Sequence, residues 1–367
     1  MTLTTPETQP APPSQRTGAG TLTAIDLFRG LTILEVVTHH TTGMAFRYTT
    51  PGTLEHEVLS VLNRTLHFAV PAFMFLSATL LTASLLKRFD ARTYFTRRVV
   101  RGGWPYLLWS VLYALWYVWT EQRPPEVLTD PAKWTFYLLY GKASYHLYFL
   151  LVALEAYFIL PLLLPLARRK PGIPLVFLVG VVVQLGLFLL NRHVLKFQFP
   201  ASTILWYMLP VLLGVGVGAN LRTFPDWWRR HWWLLVGLML LAYAAYLPTS
   251  LANLRGEKVD ALLYSVKSWL FTSLTALNLL GLSFVWHQSR ARMLSGLKLL
   301  LTMLGTVSLQ VYLIHPAIQQ WLERSYPPGS VQPLTQVTLY GYLSLIIPAI
   351  LASLIRNTRL STLLFGR

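Results

Sequence analysis

Ten apolar runs follow one another along the chain, at about 22–45, 66–86, 103–120, 146–166, 174–190, 203–219, 232–248, 265–286, 299–322 and 334–355. Short polar stretches separate them. A helix needs roughly 20 mostly apolar residues to cross a bilayer. The pattern therefore predicts an all-α polytopic membrane protein, a bundle of about ten transmembrane helices. Residues 1–20 are rich in Thr, Pro and Gln and read as a disordered cytosolic tail. They lack the basic segment, short apolar core and cleavage site of a signal peptide. Residues 21–356 then form a single transmembrane domain, and 357–367 a short cytosolic tail.

Composition supports this picture and narrows it. Only 12% of the residues are charged and 54% are hydrophobic, with a mean hydropathy of +0.48; a soluble domain carries about 25% charge. The chain has no cysteine, which excludes disulfides, zinc–thiolate sites and a cysteine nucleophile. A net charge of +17 raises nucleic acid as a partner, but the basic residues sit in short loops between apolar runs. With the N-terminus in the cytosol, 20 of the 31 Lys and Arg fall on the cytosolic side. The bias predicts both termini inside, a multi-pass protein of the cytoplasmic (inner) membrane, and no nucleic-acid partner. Trp104, Trp109, Trp206, Tyr207, Trp227, Trp228, Trp232 and Trp233 recur near the predicted helix ends and read as an aromatic belt.

The first run is unusually polar. Within it lie Asp26, Arg29, Glu35, His39 and His40, each costly to bury in lipid and so a functional candidate. Arg29 and His40 are eleven residues apart, about 20° around a helix and about 16 Å along it. Asp26 is placed to pair with Arg29, and Glu35 lies one turn before His39.

The densest basic stretch, around Arg97, Arg98 and Arg101, precedes the third run. Helical spacing puts the three guanidinium groups on one side of a helix end. Such forks suit a polyphosphate ligand at the cytosolic mouth, coenzyme A being the natural candidate. The competing reading is a topology signal that touches lipid headgroups. Six of the nine histidines, namely His39, His40, His56, His67, His146 and His315, fall in or near the outer half, with Tyr145, Tyr148 and Tyr312 at a similar level. His40 reads as functional and His67 as structural, while His146 and His315 stand open between the two. Glu155 and Asn278 read as helix–helix contacts.

Several of these segments resemble the acyltransferase 3 family of membrane O-acyltransferases. They are Ile25-Asp-Leu-Phe-Arg29-Gly through His40, Val70-Pro-Ala-Phe-Met-Phe-Leu-Ser77, Arg97-Arg98-Val-Val-Arg101 with Trp104-Pro105-Tyr106, and Gly305-x-x-Ser308-x-x-x-Tyr312-Leu-Ile-His315-Pro316. Tyr145-His146-Leu-Tyr148-Phe149 is similar to the family's His-Leu-Trp-Phe segment, with Tyr for Trp. Ala78 stands where the family usually has Gly, and His39 doubles the histidine.

The resemblance implies an acyl-CoA donor, acetyl-CoA first, and a hydroxyl on an envelope glycan, glycolipid or other sugar-containing acceptor. No metal is implied. Catalytic positions would be His40, His39, Arg29 and Asp26, with Arg97, Arg98 and Arg101 on the CoA phosphates. His146, Tyr148, Ser308, Tyr312 and His315 would hold substrate. The alternative from another class is a transporter or exporter of an envelope glycan or lipid, since intramembrane acids and histidines also mark proton relays. Paired Gly/Pro-broken helices in inverted repeats would favour that alternative; the glycines at 214–218 read as one such break, without a matching partner elsewhere.

Overall fold

A computed structural model describes residues 13–289, 295–326 and 332–366. Its described residues are helical, without strands. Helix α1 runs Pro13–Ala45, so it begins inside the stretch read as a tail; residues 1–12 lie outside the described residues. There follow α2 (Leu54–Thr65), α3 (Ala69–Lys87), α4 (Ala91–Arg98), α5 (Trp104–Trp119), α6 (Pro131–Tyr140), α7 (Tyr148–Leu162) and α8 (Leu164–Arg168). The second half comprises α9 (Ile173–Leu190), α10 (Met208–Ala219), α11 (Phe224–Leu254), α12 (Ala261–Gln288), α13 (Ser295–Thr306), α14 (Ser308–Ser325), α15 (Pro333–Ile355) and α16 (Arg359–Phe365).

Local chemistry sets many of these starts. Side chains of Thr53, Asp90, Asp130 and Asp260 accept hydrogen bonds from the first free amides of α2, α4, α6 and α12. Proline opens α5, α6, α9, α11 and α15, where its missing N–H costs nothing.

Every apolar run falls on helix. Among the described residues, five helical segments suffice by length and composition to cross a membrane: Leu54–Lys87, Ile173–Leu195, Phe224–Leu254, Ala261–Gln288 and Pro333–Ile355. A sixth is the pair α13–α14, bent by 85°. The remaining runs fall on α5 (16 residues), α7 (15) and α10 (12), which are shorter, or on α1, whose interior holds Arg29, Glu35, His39 and His40.

Small residues let the helices approach closely. A Cβ on Gly214 or Gly218 would lie 2.4 Å from the carbonyl oxygens of Phe75 and Thr79 on α3. The Gly214–Gly218 stretch, expected as a break, is thus a packing stripe on an unbroken α10. Gly30 and Gly305 form a second contact. A Cβ on either would lie 1.8 Å from a backbone oxygen, Leu301 for Gly30 and Asp26 for Gly305, so α1 and α13 touch backbone to backbone.

Polar side chains also tie helices together. Asn278 accepts from the Trp228 indole at 3.1 Å and donates to the Leu235 carbonyl at 3.0 Å, joining α12 to α11. Trp228 and Trp109 are buried rather than in the belt, whereas Trp232 and Trp233 are exposed. Glu155 accepts from the Ile204 amide at 2.6 Å, a structural role.

Two stretches expected as loop or tail fold back. Helix α6 lies along α5, with the Tyr106 hydroxyl donating to the Leu138 carbonyl at 2.7 Å and the Arg123 guanidinium stacked over Tyr117 and Tyr137. Helix α16 docks on the N-terminal half of α5, where Trp104 and Trp109 donate to the carbonyls of Leu363 and Leu364 and buried Phe365 stacks on Trp109.

Candidate active site

The end of α1, the end of α2, the turn before α7 and the middle of α14 converge on five histidines. The His40 ring lies 5.4 Å from His39, 5.4 Å from His315 and 5.0 Å from Tyr145, between centroids. His67 is 5.4 Å from His39, and His146 is 6.0 Å from His315. His67, read as structural from its interfacial position, therefore belongs to the cluster.

Each ring is held differently. The His39 Nδ1–H donates to the Asn63 carbonyl at 3.0 Å, and the Asn63 amide returns a bond to the His39 carbonyl at 2.8 Å. This clasp joins α1 to α2. The His315 Nδ1–H donates to the carbonyls of Val311 and Tyr312, at 3.0 and 2.9 Å. The second of these exists because Pro316 has no N–H, leaving the Tyr312 carbonyl without its helical partner. A carbonyl only accepts, so Nδ1 carries the proton in both rings and a neutral ring has its lone pair on Nε2. The His315 Nε2 is buried without a hydrogen-bond partner.

His146 is buried with both nitrogens unpartnered, edge-on to Tyr113 at 4.8 Å and Tyr312 at 5.3 Å. The Tyr312 hydroxyl donates to the His146 carbonyl. Gly141 makes this turn possible. Its φ of +65° ends α6, and a Cβ there would lie 2.3 Å from the Tyr148 Cα. Among the described residues the His40 ring has no hydrogen-bond partner.

Two cavities meet at His39, His40 and His67. The larger, about 520 Å³, is walled by polar groups including Asn63, Arg64, Tyr145, Gln319 and Glu323. The smaller, about 160 Å³, is lined by His146, Tyr148 and Tyr312 together with apolar residues such as Val70, Trp206 and Trp269.

The remaining expected positions lie elsewhere. Asp26 and Arg29 pair at 3.1 Å, partly exposed, in the middle of α1, about 16 Å of helix before His40. Ser308 is buried at the bend between α13 and α14 and lines neither cavity. Glu35 is buried, and neither carboxylate oxygen has a hydrogen-bond partner, so it does not orient His39.

The arginine stretch changes character at Val99–Gly103, a π-helical turn between α4 and α5. Arg98 folds inward over the rings of Tyr94 and Tyr157, at 5.4 and 5.3 Å, while Arg97 and Arg101 stay exposed. The three guanidiniums therefore do not share one face. No hydrogen bond or ion pair among the described residues joins them to Arg29. Arg29 precedes His40 on α1 by about 16 Å, and Arg101, in the π-helical turn that leads into α5, precedes Tyr117, a wall of the larger cavity, by about 24 Å of helix.

Asn63, Arg64, Gln319 and Glu323 went unnoticed in the sequence. Gln319 carried a usable signal: it stands one turn after His315 on the same face. The others lie in or near short polar stretches with no motif. Among the described residues, no group of three or more His, Cys, Asp or Glu is placed to hold a metal ion.

A bundle of apolar helices with a histidine cluster that lines both a polar and a more apolar cavity has the architecture of a multi-pass membrane protein with a candidate site among its helices. The family model of the acyltransferase 3 domain, described as an acyltransferase domain, matches residues 22–355, and the chain belongs to that family. No curated protein and no solved structure matches it.

Proposed function

We propose that this protein is a membrane O-acyltransferase that moves an acetyl group from acetyl-CoA to a hydroxyl of an envelope glycan, glycolipid or other sugar-containing acceptor. The observation that carries the reading is the uncommitted His40 ring at the junction of the two cavities. Acyl transfer joins a polar acceptor to an acyl group at one point, and the two cavities have those two characters. An apolar cavity of about 150 Å³ takes a benzene ring. The smaller cavity, about 160 Å³, therefore suits an acyl group of about six heavy atoms or fewer.

His40 is the general base. In the reactive arrangement the His40 ring, 5.4 Å from His315 between centroids, turns to donate its N–H to the free lone pair on His315 Nε2, which leaves its other nitrogen for the acceptor hydroxyl. That nitrogen takes the hydroxyl proton as the oxygen attacks the thioester carbon. The tetrahedral intermediate collapses, the C–S bond breaks, and the CoA sulfur leaves as thiol with the proton from His40. His39, held by Asn63, packs beside His40. Tyr312 and His146 brace the turn that leads into Tyr148, and Tyr148 borders the acyl group. Ser308 acts on substrate only indirectly, through the bend it occupies.

Arg97 and Arg101 bind the CoA phosphates at the cytosolic mouth. Arg98 supports them from its aromatic seat, and the Asp26–Arg29 pair lies along the path of the pantetheine arm. In this reading the chain crosses the cytoplasmic membrane ten times with both termini in the cytosol, as the bias of Lys and Arg supports.

The test is equilibrium binding of radiolabelled acetyl-CoA to purified protein in nanodiscs, competed with acyl-CoAs of increasing chain length. The expected result is saturable binding, with competition weakening once the acyl chain exceeds about six carbons. No saturable binding contradicts the reading.

A further inference from the structure

Three fixed charges line the larger cavity: Arg47, Arg64 and Glu323. Arg47 and Glu323 neutralise one another at 3.2 Å, and the Tyr48 hydroxyl also donates to Glu323. Arg64 stands apart. Among the described residues no carboxylate pairs with it, and its Nε is buried without a hydrogen-bond partner. It lies in the last turn of α2, beside the Asn63 that clasps His39. Its backbone is pinned as well, because Tyr246 on α11 donates to its carbonyl at 3.2 Å.

A guanidinium held in a protein wall without a counter-ion is unfavourable. The carbonyl end of α2 offsets only part of that cost. The rest of the wall is neutral and rich in hydrogen-bonding groups, with the amides of Gln122, Gln319 and Gln320 and the rings of Tyr117 and Tyr145. Such groups suit sugar hydroxyls and sugar faces. Among the described residues, Arg64 is the charge in this lining without a counter-charge, in the same cavity as His40.

We infer that this cavity selects an acceptor sugar carrying an anionic group, a carboxylate or a phosphate, and that Arg64 binds that group. A guanidinium fork matches either anion through paired hydrogen bonds. The inference rests on the reading of this cavity as the acceptor site. The donor's own phosphates do not supply the anion, since Arg97 and Arg101 lie at the opposite end of α5 from Tyr117. Arg64 thus sets acceptor specificity without touching the bond that forms.

The test uses the full-length protein in nanodiscs of neutral phosphatidylcholine, at constant ionic strength. Methyl glucoside, methyl glucuronide and glucose 1-phosphate are titrated while tryptophan fluorescence is read. The two anionic probes are expected to bind at least about tenfold more tightly than methyl glucoside, consistent with a charge-assisted pair. The tighter of the two distinguishes carboxylate from phosphate. Arg64→Gln is expected to abolish the difference, and Arg64→Lys to keep part of it. Equal affinity for all three probes, binding of none, or a preference that survives Arg64→Gln overturns the inference. Acetyl-CoA binding is measured on the same wild-type sample. If acetyl-CoA binds and the anion preference is absent, only the Arg64 assignment fails. If the preference is present and acetyl-CoA does not bind, the anion site stands and the acyl-transfer reading fails.

Discussion

Single residues decide the geometry of the cluster. Pro316 deprives the Tyr312 carbonyl of its helical partner, and the His315 ring fills the gap. Replacing Pro316 with Ala restores the missing amide, so the helix competes for that carbonyl and the ring is freed to turn. The expected outcome is an unchanged or higher melting temperature, since a mid-helix proline costs about 3 kcal/mol, with CoA release reduced at least tenfold. Loss of activity and stability together would mean that Pro316 matters only for folding.

Gly305 and Gly30 are equally specific. A methyl group at Gly305 meets the Asp26 carbonyl at 1.8 Å, so Gly305→Ala forces α1 and α13 apart, at a cost on the order of 1–3 kcal/mol or more. Gly237→Ala is the matched control, because nothing lies within 4 Å of that position; it is expected to be neutral or to stabilise by about 0.5–1 kcal/mol. Thermal denaturation in nanodiscs checks both. Gly30 and Gly305 stand in the segments that carry the family resemblance, so part of that motif records a helix contact rather than chemistry.

At the scale of elements, the long apolar helices were readable from hydropathy, and so was the polar character of α1. The histidines on α1 and α14 were found because they stand inside apolar runs, where a polar residue is conspicuous. Asn63, Arg64 and His67 were not singled out as site residues, because they lie at the junction of α2 and α3, where polar residues are ordinary. Helices α2, α6 and α16 were also missed. They are short or have mixed polarity, and their hydrophobic residues are paired by contacts distant in sequence, such as Phe365 with Trp109. The π-helical turn at Val99–Gly103 has no local periodic signal, and it redirected Arg98 away from its neighbours.

Helix α16 yields an element-scale prediction. It packs beside the arginine segment, with Gly366 against the Val100 carbonyl. Phe365→Ala removes a buried ring, a change that costs about 3–5 kcal/mol in a well-packed core, and it loosens the mouth. Michaelis kinetics should show KM for acetyl-CoA raised severalfold, with kcat little changed. A fall in kcat at constant KM would separate α16 from the donor site.

For the whole molecule, the proposed reaction divides labour between two ends. In the proposed reading the arginines hold the donor at one, and His40 and the unmatched Arg64 share the acceptor cavity at the other. The absence of native cysteine makes this arrangement simple to test, because any introduced thiol is unique. Thr50, Thr93, Thr129 and Thr358 are all exposed. Single cysteines at 50 and 129 are expected to react with a membrane-impermeant maleimide from outside the cell, and those at 93 and 358 only after the membrane is opened. Labelling of 93 and 50 from the same side would contradict the two-ended arrangement.

The central claim is that His40, and not its neighbour, takes the proton from the acceptor. The most direct measurement follows free CoA thiol and transferred radiolabel from acetyl-CoA, with crude envelope extract as acceptor, for wild type, His40→Ala and His39→Ala. The account predicts that His40→Ala lowers turnover about 10²–10⁴-fold, the usual contribution of a general base, while acetyl-CoA binding stays intact. His39→Ala should lose stability by loosening the Asn63 clasp, yet keep measurable turnover. Full turnover by His40→Ala, or complete loss confined to His39→Ala, would contradict it.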